Sequence, residues 1–495
     1  MASVRRRAAY HAAMLPDPDA AYLALKARDA RFDGRLFVGV TSTGVYCRPV
    51  CRVRTPRFEN CRFFATRAQA EAAAFRPCLK CRPEIAPGLS QMDSSRALAE
   101  HAARAIEQAV HAGDELPLPL LAARLGVTDR HLRRIFHAAH GVTPVEYLTT
   151  QRLLLAKQLL TDTAQPVTHV ALASGFASLR RFNAAFRQRY RLAPTQLRRE
   201  GAGRGDAAAL RLAYRPPYDL EGVLGFLARR QLDGVEQVDT GTLTLRRTLA
   251  VMHQGRRLAG WVQARFVPER HEVHVAAADS LAPALGEVLR RMRQALDLDA
   301  DPGEIDAVMA RLPLPPRPGL RLPGALDGFE VAVRTVLGQQ VTVKAARTLL
   351  ARLVERFGEP LATPFPALHR LFPSPESLAA ASAEAIGTLG IVRQRVGALQ
   401  ALAREVAAGR LALHRGAAVE PTLASLRALP GVGEWTAQLV VMRALAWPDA
   451  WPASDIGLMN ALGTRDPKRV AELAEPWQPW RAYALMRLWQ HVETT

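Results

Sequence analysis

Cysteine is nearly absent from this chain of 495 residues: there are five, Cys47, Cys51, Cys61, Cys78 and Cys81, and none follows Cys81. An odd number confined to one early stretch argues against a disulfide framework. Long apolar runs are missing too. No segment approaches the roughly 20 residues that cross a bilayer. The basic start, Met1 to Arg7, is not followed by the apolar core of a secretory signal. A cytoplasmic protein without a membrane partner is expected. Acidic residues are outnumbered, 46 against 66 Lys and Arg, which leaves a formal net charge of +20. A surplus of that size points to a polyanionic partner, nucleic acid or a membrane surface. The length suits three or four domains.

Composition breaks the chain into pieces. PGLSQMDSS, Pro87 to Ser95, closes the cysteine stretch, and helical periodicity follows from Leu98 to about Arg199. Gly201 to Ala208, GAGRGDAA, reads as a flexible linker. Residues 243–277 alternate apolar and polar, with turn residues at Gln254-Gly255 and Pro268-Glu269, as antiparallel strands do. A helix is expected over Ala282–Leu296, a Pro-rich connector over Leu312–Pro323, and helices from Phe329 onward.

The cysteines follow C-x3-C-x26-C-x2-C, with Cys61 outside the pattern. Two close pairs can grip one metal from tight turns, and four thiolates make a soft tetrahedral set suited to Zn²⁺. The candidate ligands are Cys47, Cys51, Cys78 and Cys81. Arg48, Arg52, Lys80 and Arg82 lie beside them and would offset the negative charge of such a centre. Spacing alone favours a structural zinc staple that holds a small domain together. The words around the cysteines, FDGRLFVGVTSTGVYCRPVCRVR and FENCRFFATRAQAEAAAFRPCLKCRPE, resemble the N-terminal domain of Ada-type alkylation sensors over roughly residues 20–88. The resemblance implies that Cys47 accepts a methyl group from a DNA methylphosphotriester. Cys61 reads as a small core residue.

Two helix–turn–helix units follow. In LPLLAARLGVTDRHLRRIFHAAHG, Leu118, Leu120, Leu121 and Leu125 form an apolar face, Gly126 makes the turn and Thr128 can cap the next helix. Leu132, Ile135 and Phe136 then face inward, leaving Arg130, His131, Arg133 and Arg134 outside. In the second unit Gly175 turns and Ser178 caps. Leu179, Phe182 and Phe186 form the core stripe, with Arg180, Arg181, Asn183 and Arg187 outside. The tandem resembles the AraC-type DNA-binding domain. That implies promoter DNA and RNA polymerase as partners, with Arg130, Arg134 and Arg181 as candidate DNA contacts.

Near the C-terminus, LRALPGVGEWTAQLVVMRAL forms a helix, a tight turn and a second helix. Gly431 and Gly433 let backbone N–H groups come close to a DNA phosphate. Asp455 in WPASDIGLMNALG lies some twenty residues later, where an Asp also suits a helix N-cap. The hairpin-then-Asp order resembles the helix-hairpin-helix/Gly-Pro-Asp glycosylases. Residues 209–492 resemble the AlkA-like 3-methyladenine DNA glycosylase II. The resemblance implies excision of alkylated purines such as 3-methyladenine and 7-methylguanine from double-stranded DNA, with Asp455 catalytic. It also implies a pocket built from Trp435, Trp489 and Phe226, DNA contacts at Gln339 and Gln340, and a monovalent cation at the hairpin. Family members with lyase activity carry a lysine where this chain has Trp435. Ile456 and Leu439 stand where tyrosine can occur. An aromatic pocket would favour a cationic base. No Pro-Cys-His-Arg motif occurs in these residues, and the methylguanine-repair domain of Ada proteins is not expected among them.

The expected architecture is multidomain and mainly α with α+β parts. It comprises a zinc domain (1–88), a tandem helix-turn-helix (89–202), a mixed α/β TBP-like subdomain (208–325) and an all-α helix-hairpin-helix domain (326–495). A regulator whose C-terminal half binds DNA without catalysis is the alternative.

Overall fold

The computed structural model describes residues 17–28, 32–33, 36–84, 91–163, 165–201 and 210–494. The basic start and residues 202–208 of the expected linker lie outside them.

The first sheet grows from a short hairpin. β1 (Phe37–Val40) and β2 (Val45–Cys47) pair antiparallel, Val38 opposite Cys47, through a turn closed by Gly44 at φ 63°. β3 (Cys61–Phe64) flanks β1, and β4 (Arg76–Pro77) runs parallel to β2, giving the order β3-β1-β2-β4. Alternation along β1 divides the apolar residues. Val38 joins Ala21, Ala24 and Leu25 of α1 (Pro18–Ala27), while Phe37 joins Tyr46, Phe75 and Ala70 of α2 (Arg67–Ala72). Gly39 is required here, since a Cβ would sit 2.9 Å from the Phe64 ring.

The helical stretch holds α3 (Gln91–Ala112), α4 (Leu118–Arg124), α5 (Asp129–His140), α6 (Pro144–Asp162), α7 (Val167–Ala173), α8 (Leu179–Tyr190) and α9 (Pro194–Gly201). Thr128 and Ser178 cap α5 and α8 by accepting from the backbone N–H of His131 and Arg181. Leu132, Ile135 and Phe136 are buried, as are Phe182 and Phe186. Leu120 and Leu179, expected inside, are exposed. Leu118 and Leu121 are buried in the same turn, so Leu120, two positions after Leu118, points to the opposite side, whereas Leu179 opens its helix.

Beyond it, β5 (Leu210–Ala213), β6 (Glu236–Asp239), β7 (Thr244–His253), β8 (Arg256–Val267) and β9 (Glu272–Ala277) form an antiparallel sheet in the order β5-β9-β8-β7-β6. Gln254 and Gly255 both have positive φ and close the β7–β8 hairpin. α10 (Leu220–Arg230), α11 (Leu285–Ala295) and α12 (Pro302–Met309) accompany the sheet. The remainder is helical: α13 (Gly328–Leu337), α14 (Val343–Phe357), α15 (Pro375–Ala380), α16 (Ala383–Gly387), α17 (Arg393–Ala407), α18 (Val419–Arg427), α19 (Glu434–Ala444), α20 (Ile456–Ala461), α21 (Pro467–Leu473) and α22 (Arg481–Thr494).

Packing groups these elements into two units. One holds the residues up to Ala105 with Pro117–Tyr147; the other holds Ile106–Leu116 and Leu148–Thr495. Within the second, α6, α7 and α8 share a core with the five-stranded sheet: Leu155, Leu159, Phe182 and Phe186 belong to one cluster with Val262, Ala264 and Met292. Polar ties reinforce it, from Gln158 Nε2 to the Arg211 carbonyl (3.0 Å) and from Gln165 Nε2 to that of Ala282 (3.4 Å). The sheet meets α13 through a buried charge network. Arg247 donates to Glu236 (3.0 Å) and Glu330 (2.5 Å), and Arg334 donates to the same two carboxylates.

The shared core makes Phe186→Ala costly, by about 3–5 kcal/mol as a cavity in a closed core. Amide exchange measured by mass spectrometry should accelerate together in α8 and in β8. Acceleration in α8 alone would mean that the two do not unfold as one.

Candidate active site and metal centre

The β2–β4 pairing sets Tyr46 opposite Pro77, so Cys47 and Cys78 emerge side by side at the strand ends. Cys51 and Cys81 return on the turns that follow. The four sulfurs lie within 4.8 Å of one another, and all four residues are buried. Four thiolates at a Zn–S length of about 2.3 Å stand about 3.8 Å apart, so this set fits one Zn²⁺. Cys61 is excluded from it: it is half-buried on β3, its thiol donating to the Arg57 carbonyl (3.3 Å). Arg48 is buried beside the cluster. Its backbone N–H donates to Cys81 Sγ (3.5 Å) and its Nε to Asp33 Oδ1 (2.7 Å). Asp33 thus takes part of the charge that the sequence suggested was directed at the thiolates. Arg52, Lys80 and Arg82 are exposed, and Arg82 pairs with Glu84.

The second site is a cavity of about 360 Å³ lined by α10, α13, α14, α19, α20 and α22. Asp455 sits at its edge, 7% exposed, and is the N-cap of α20. Its Oδ1 accepts from the Leu458 N–H (2.9 Å) and the Trp489 indole N–H (2.9 Å), and its Oδ2 from the Trp435 indole N–H (2.8 Å). Capping and cavity lining therefore coexist in one carboxylate, whose plane is fixed by three donors. Gly457 makes the approach possible, since a Cβ there would lie 3.0 Å from Asp455 Oδ1 and 3.1 Å from the Trp489 ring.

Phe226, Trp435 and Trp489 all line this cavity. The two tryptophans differ from free stacking surfaces in that their polar edges are spent on Asp455. Leu439 also lines it, whereas Ile456 is 61% exposed. No lysine is among the described lining residues. Four arginines are: Arg230, Arg334, Arg347 and Arg443. Sequence reading missed them. The signal was helical spacing, since Arg230 follows Phe226 by four residues and Arg443 follows Trp435 and Leu439 by eight and four.

The hairpin between α18 and α19 is exposed at Gly431 and Gly433, with Gly431 at φ 74°. Gln339, in the loop between α13 and α14, is turned toward it: its Nε2 donates to the Gly431 carbonyl (2.9 Å) and to Thr436 Oγ1 (2.9 Å). Gln340 stands exposed beside it at φ 52°, a strained conformation for a residue with a side chain. Arg130, Arg134 and Arg181 are exposed on α5 and α8; Arg134 Nη2 lies 3.1 Å from His131 Nδ1.

Four family models match the chain. They are the metal binding domain of Ada (residues 20–84), a helix-turn-helix domain (121–200), the AlkA N-terminal domain (209–327) and the HhH-GPD superfamily base excision DNA repair protein (333–477). The chain is 38% identical over 496 residues to the "Probable bifunctional transcriptional activator/DNA repair enzyme AlkA" of Mycobacterium tuberculosis, covering 97% of each. It is 36% identical to DNA-3-methyladenine glycosylase 2 of Escherichia coli over 56% of this chain and 95% of that one. With the bifunctional transcriptional activator/DNA repair enzyme Ada of E. coli it shares 35% identity over 32% of this chain and 42% of that protein.

The geometry around Asp455 separates its structural and chemical roles. Asp455→Asn keeps an acceptor for the cap but sets an NH₂ group against the Trp435 N–H, at a cost of about 1–3 kcal/mol. Adding Trp435→Phe removes that clash, so urea unfolding of the double variant should recover part of the loss. Strictly additive losses would show that the indole contact is not made.

Proposed function

As this chain belongs to the family of bifunctional transcriptional activators and DNA repair enzymes of the AlkA and Ada types, we propose that it couples a DNA-3-methyladenine glycosylase to an alkylation-responsive regulator. The observation that carries the enzymatic half is Asp455, held by three N–H donors at the edge of a base-sized cavity beside an exposed helical hairpin.

The hairpin amides at Gly431 and Gly433 hold a backbone phosphate, with a monovalent cation as the bridging group the resemblance implies. Gln340 fills the gap left when the damaged nucleotide leaves the stack, and Gln339 ties that loop to the hairpin. The C1′–N bond then breaks with its electron pair departing on the base. Asp455 stabilises the positive charge that grows on the sugar. Water adds to C1′ and its proton passes to solvent. Alkylation at N3 or N7 has already made the purine cationic, so the base leaves neutral. With Trp435 where a lyase carries lysine, no Schiff base forms, and the enzyme is monofunctional.

In the regulatory half, Cys47 Sγ attacks the methyl carbon of a phosphotriester. The C–O bond breaks, and the phosphate oxygen keeps the electron pair as a phosphodiester anion. Zn²⁺, when bound by Cys47, Cys51, Cys78 and Cys81, keeps the attacking thiol deprotonated at neutral pH. The thioether has lost one negative charge, which weakens repulsion from the DNA backbone and raises affinity. Arg130, Arg134 and Arg181 contact promoter DNA, and RNA polymerase is the partner of the activated form. The functional segments are those read from the sequence: 1–88, 89–202, 208–325 and 326–495.

Two measurements test the halves separately. Duplex DNA treated with a methylating agent should release 3-methyladenine and 7-methylguanine with the wild type, and at least about 100-fold more slowly with folded Asp455→Asn. Release by neither would leave a zinc-dependent regulator whose C-terminal half binds DNA only. After incubation with methylphosphotriester DNA, peptide mass spectrometry should find a single methyl on Cys47. A methyl on Cys61 instead, or none, would reduce the zinc centre to a structural role.

A further inference from the structure

Two cavities flank α19. Trp435, Leu439 and Met442 line the one that holds Asp455, and Glu434 and Gln438 line a second, of about 370 Å³, on the neighbouring face of the helix. The segment that carries Asp455 runs between them. Ala453 and Ser454 line the second cavity and Asp455 the first, so little side-chain packing backs this turn. The indole donors of Trp435 and Trp489 act on the carboxylate, not on the main chain that delivers it.

That main chain is held by Gln438, which is 8% exposed. Its Oε1 accepts from the Trp451 N–H (3.1 Å), and its Nε2 donates to Glu434 Oε1 (2.8 Å). Among the described residues, the bond to Trp451 is the one hydrogen bond that ties residues 451–454 to another element. The Asp455 N–H donates to the Pro452 carbonyl (2.8 Å), which closes the turn and fixes Asp455 relative to Trp451. Without Gln438 the buried Trp451 N–H would go unpaired.

Glu434 leads from Gln438 to the hairpin. It opens α19, and Arg427 ends α18; their ion pair, Nε to Oε2 at 2.5 Å, spans the turn that presents Gly431 and Gly433. Glu434 Oε1 accepts from both Arg427 Nη2 (3.0 Å) and Gln438 Nε2. A file of polar contacts therefore runs from the hairpin to the turn before Asp455. Asp449 and Arg481 are the other charged groups lining the second cavity, and two bonds of 2.7 Å pair them with each other.

We propose that Gln438 is a positioning residue of the glycosylase, which sets the distance between the phosphate held at the hairpin and the carboxylate of Asp455. The proposal rests on the glycosylase reading and deepens it. Capture of the phosphate fixes the sugar, and the carboxylate must stand where charge grows at C1′. A displacement of about 1 Å at such a point costs about 100-fold in rate. Gln438 acts through Trp451 and not on the reacting atoms.

The experiment uses the full-length protein and a duplex with a single 7-methylguanine. Single turnover with enzyme in excess gives a rate that does not report the folded fraction. Gln438→Leu should lower that rate by about 10- to 100-fold, while the Kd for the duplex, read by anisotropy, stays close to that of the wild type because the hairpin amides remain. Gln438→Glu serves if the first variant does not fold, and it adds a readout that lost packing would not give. Its carboxylate faces Glu434: ionised, the two repel, and at lower pH a proton held between them restores the donor. Its rate relative to the wild type should therefore rise as the pH falls from about 8 to about 6. An unchanged rate in Gln438→Leu, a loss confined to Kd, or a flat pH ratio in Gln438→Glu would overturn the proposal. If the wild type releases no base, the glycosylase reading fails, and amide exchange decides on Gln438. Exchange that accelerates over residues 451–455 in Gln438→Leu but not in α22 upholds its hold on the turn; equal acceleration in α22, or none in either, overturns it.

Discussion

Two arginines and two glutamates buried between the sheet and α13 hold the C-terminal half together. Arg247 and Glu236 stand on neighbouring strands, and Glu330 and Arg334 lie one turn apart on α13. Each carboxylate takes both cations, so none of the four charges is left bare in a medium that could not hold it. The network fixes the register of α13 against the sheet, and with it the wall of the cavity, because Arg334 is also a lining residue. Its Nη1 reaches back to the Arg230 carbonyl (2.8 Å), which anchors the end of α10 and thereby Phe226. The opposite wall follows from a smaller device, the carboxylate of Asp455 drawing Trp435 and Trp489 inward from α19 and α22. The cavity is therefore bounded by polar contacts on both sides.

The metal centre solves a related problem at shorter range. Four buried thiolates need compensation beyond that of one divalent ion. The buried cation nearest them, Arg48, is itself shared with Asp33. The exposed Arg52 and Lys80 supply the rest from the rim. The negative charge of the cluster is thus offset from its rim rather than from within.

Much of this was legible in the sequence because it depends on residues within a few positions of one another. The cysteine spacing, the caps at Thr128 and Ser178, the Gln254-Gly255 hairpin and the Gly431–Gly433 turn are local devices, and each carries its own chemistry. What stayed hidden depends on distant partners. β5 and β6 are four residues each and become strands only by pairing with β9 and β7. Gln339 is turned to the hairpin by Gly431 and Thr436, nearly a hundred residues away. The arginines of the cavity look like solvated helix positions until Phe226 and the Pro323–Gly324 carbonyls are brought against them. Leu120 stands off the face that Leu118, Leu121 and Ala122 bury, which helical spacing alone would have told; the exposure of Leu179, at the spacing of Phe182 and Phe186, could not be seen, because periodicity gives a face but not how far the neighbouring elements extend to cover it.

The seam between α6–α8 and the five-stranded sheet has a consequence for the history of such a chain. Fused modules usually remain separable because each keeps a polar skin of its own. Here Leu155 reaches into the space above Gly286, where a Cβ would come within 3.0 Å of it, and Phe182 and Phe186 stand in the same core as Val262. Either half alone would present to water the surface that the other covers, Leu155 over Gly286 among it, and become sticky. Once such a seam has closed, splitting the gene again requires several apolar-to-polar replacements at once, each harmful while the halves remain joined. The fusion then works as a ratchet: joining takes one event, and parting takes many.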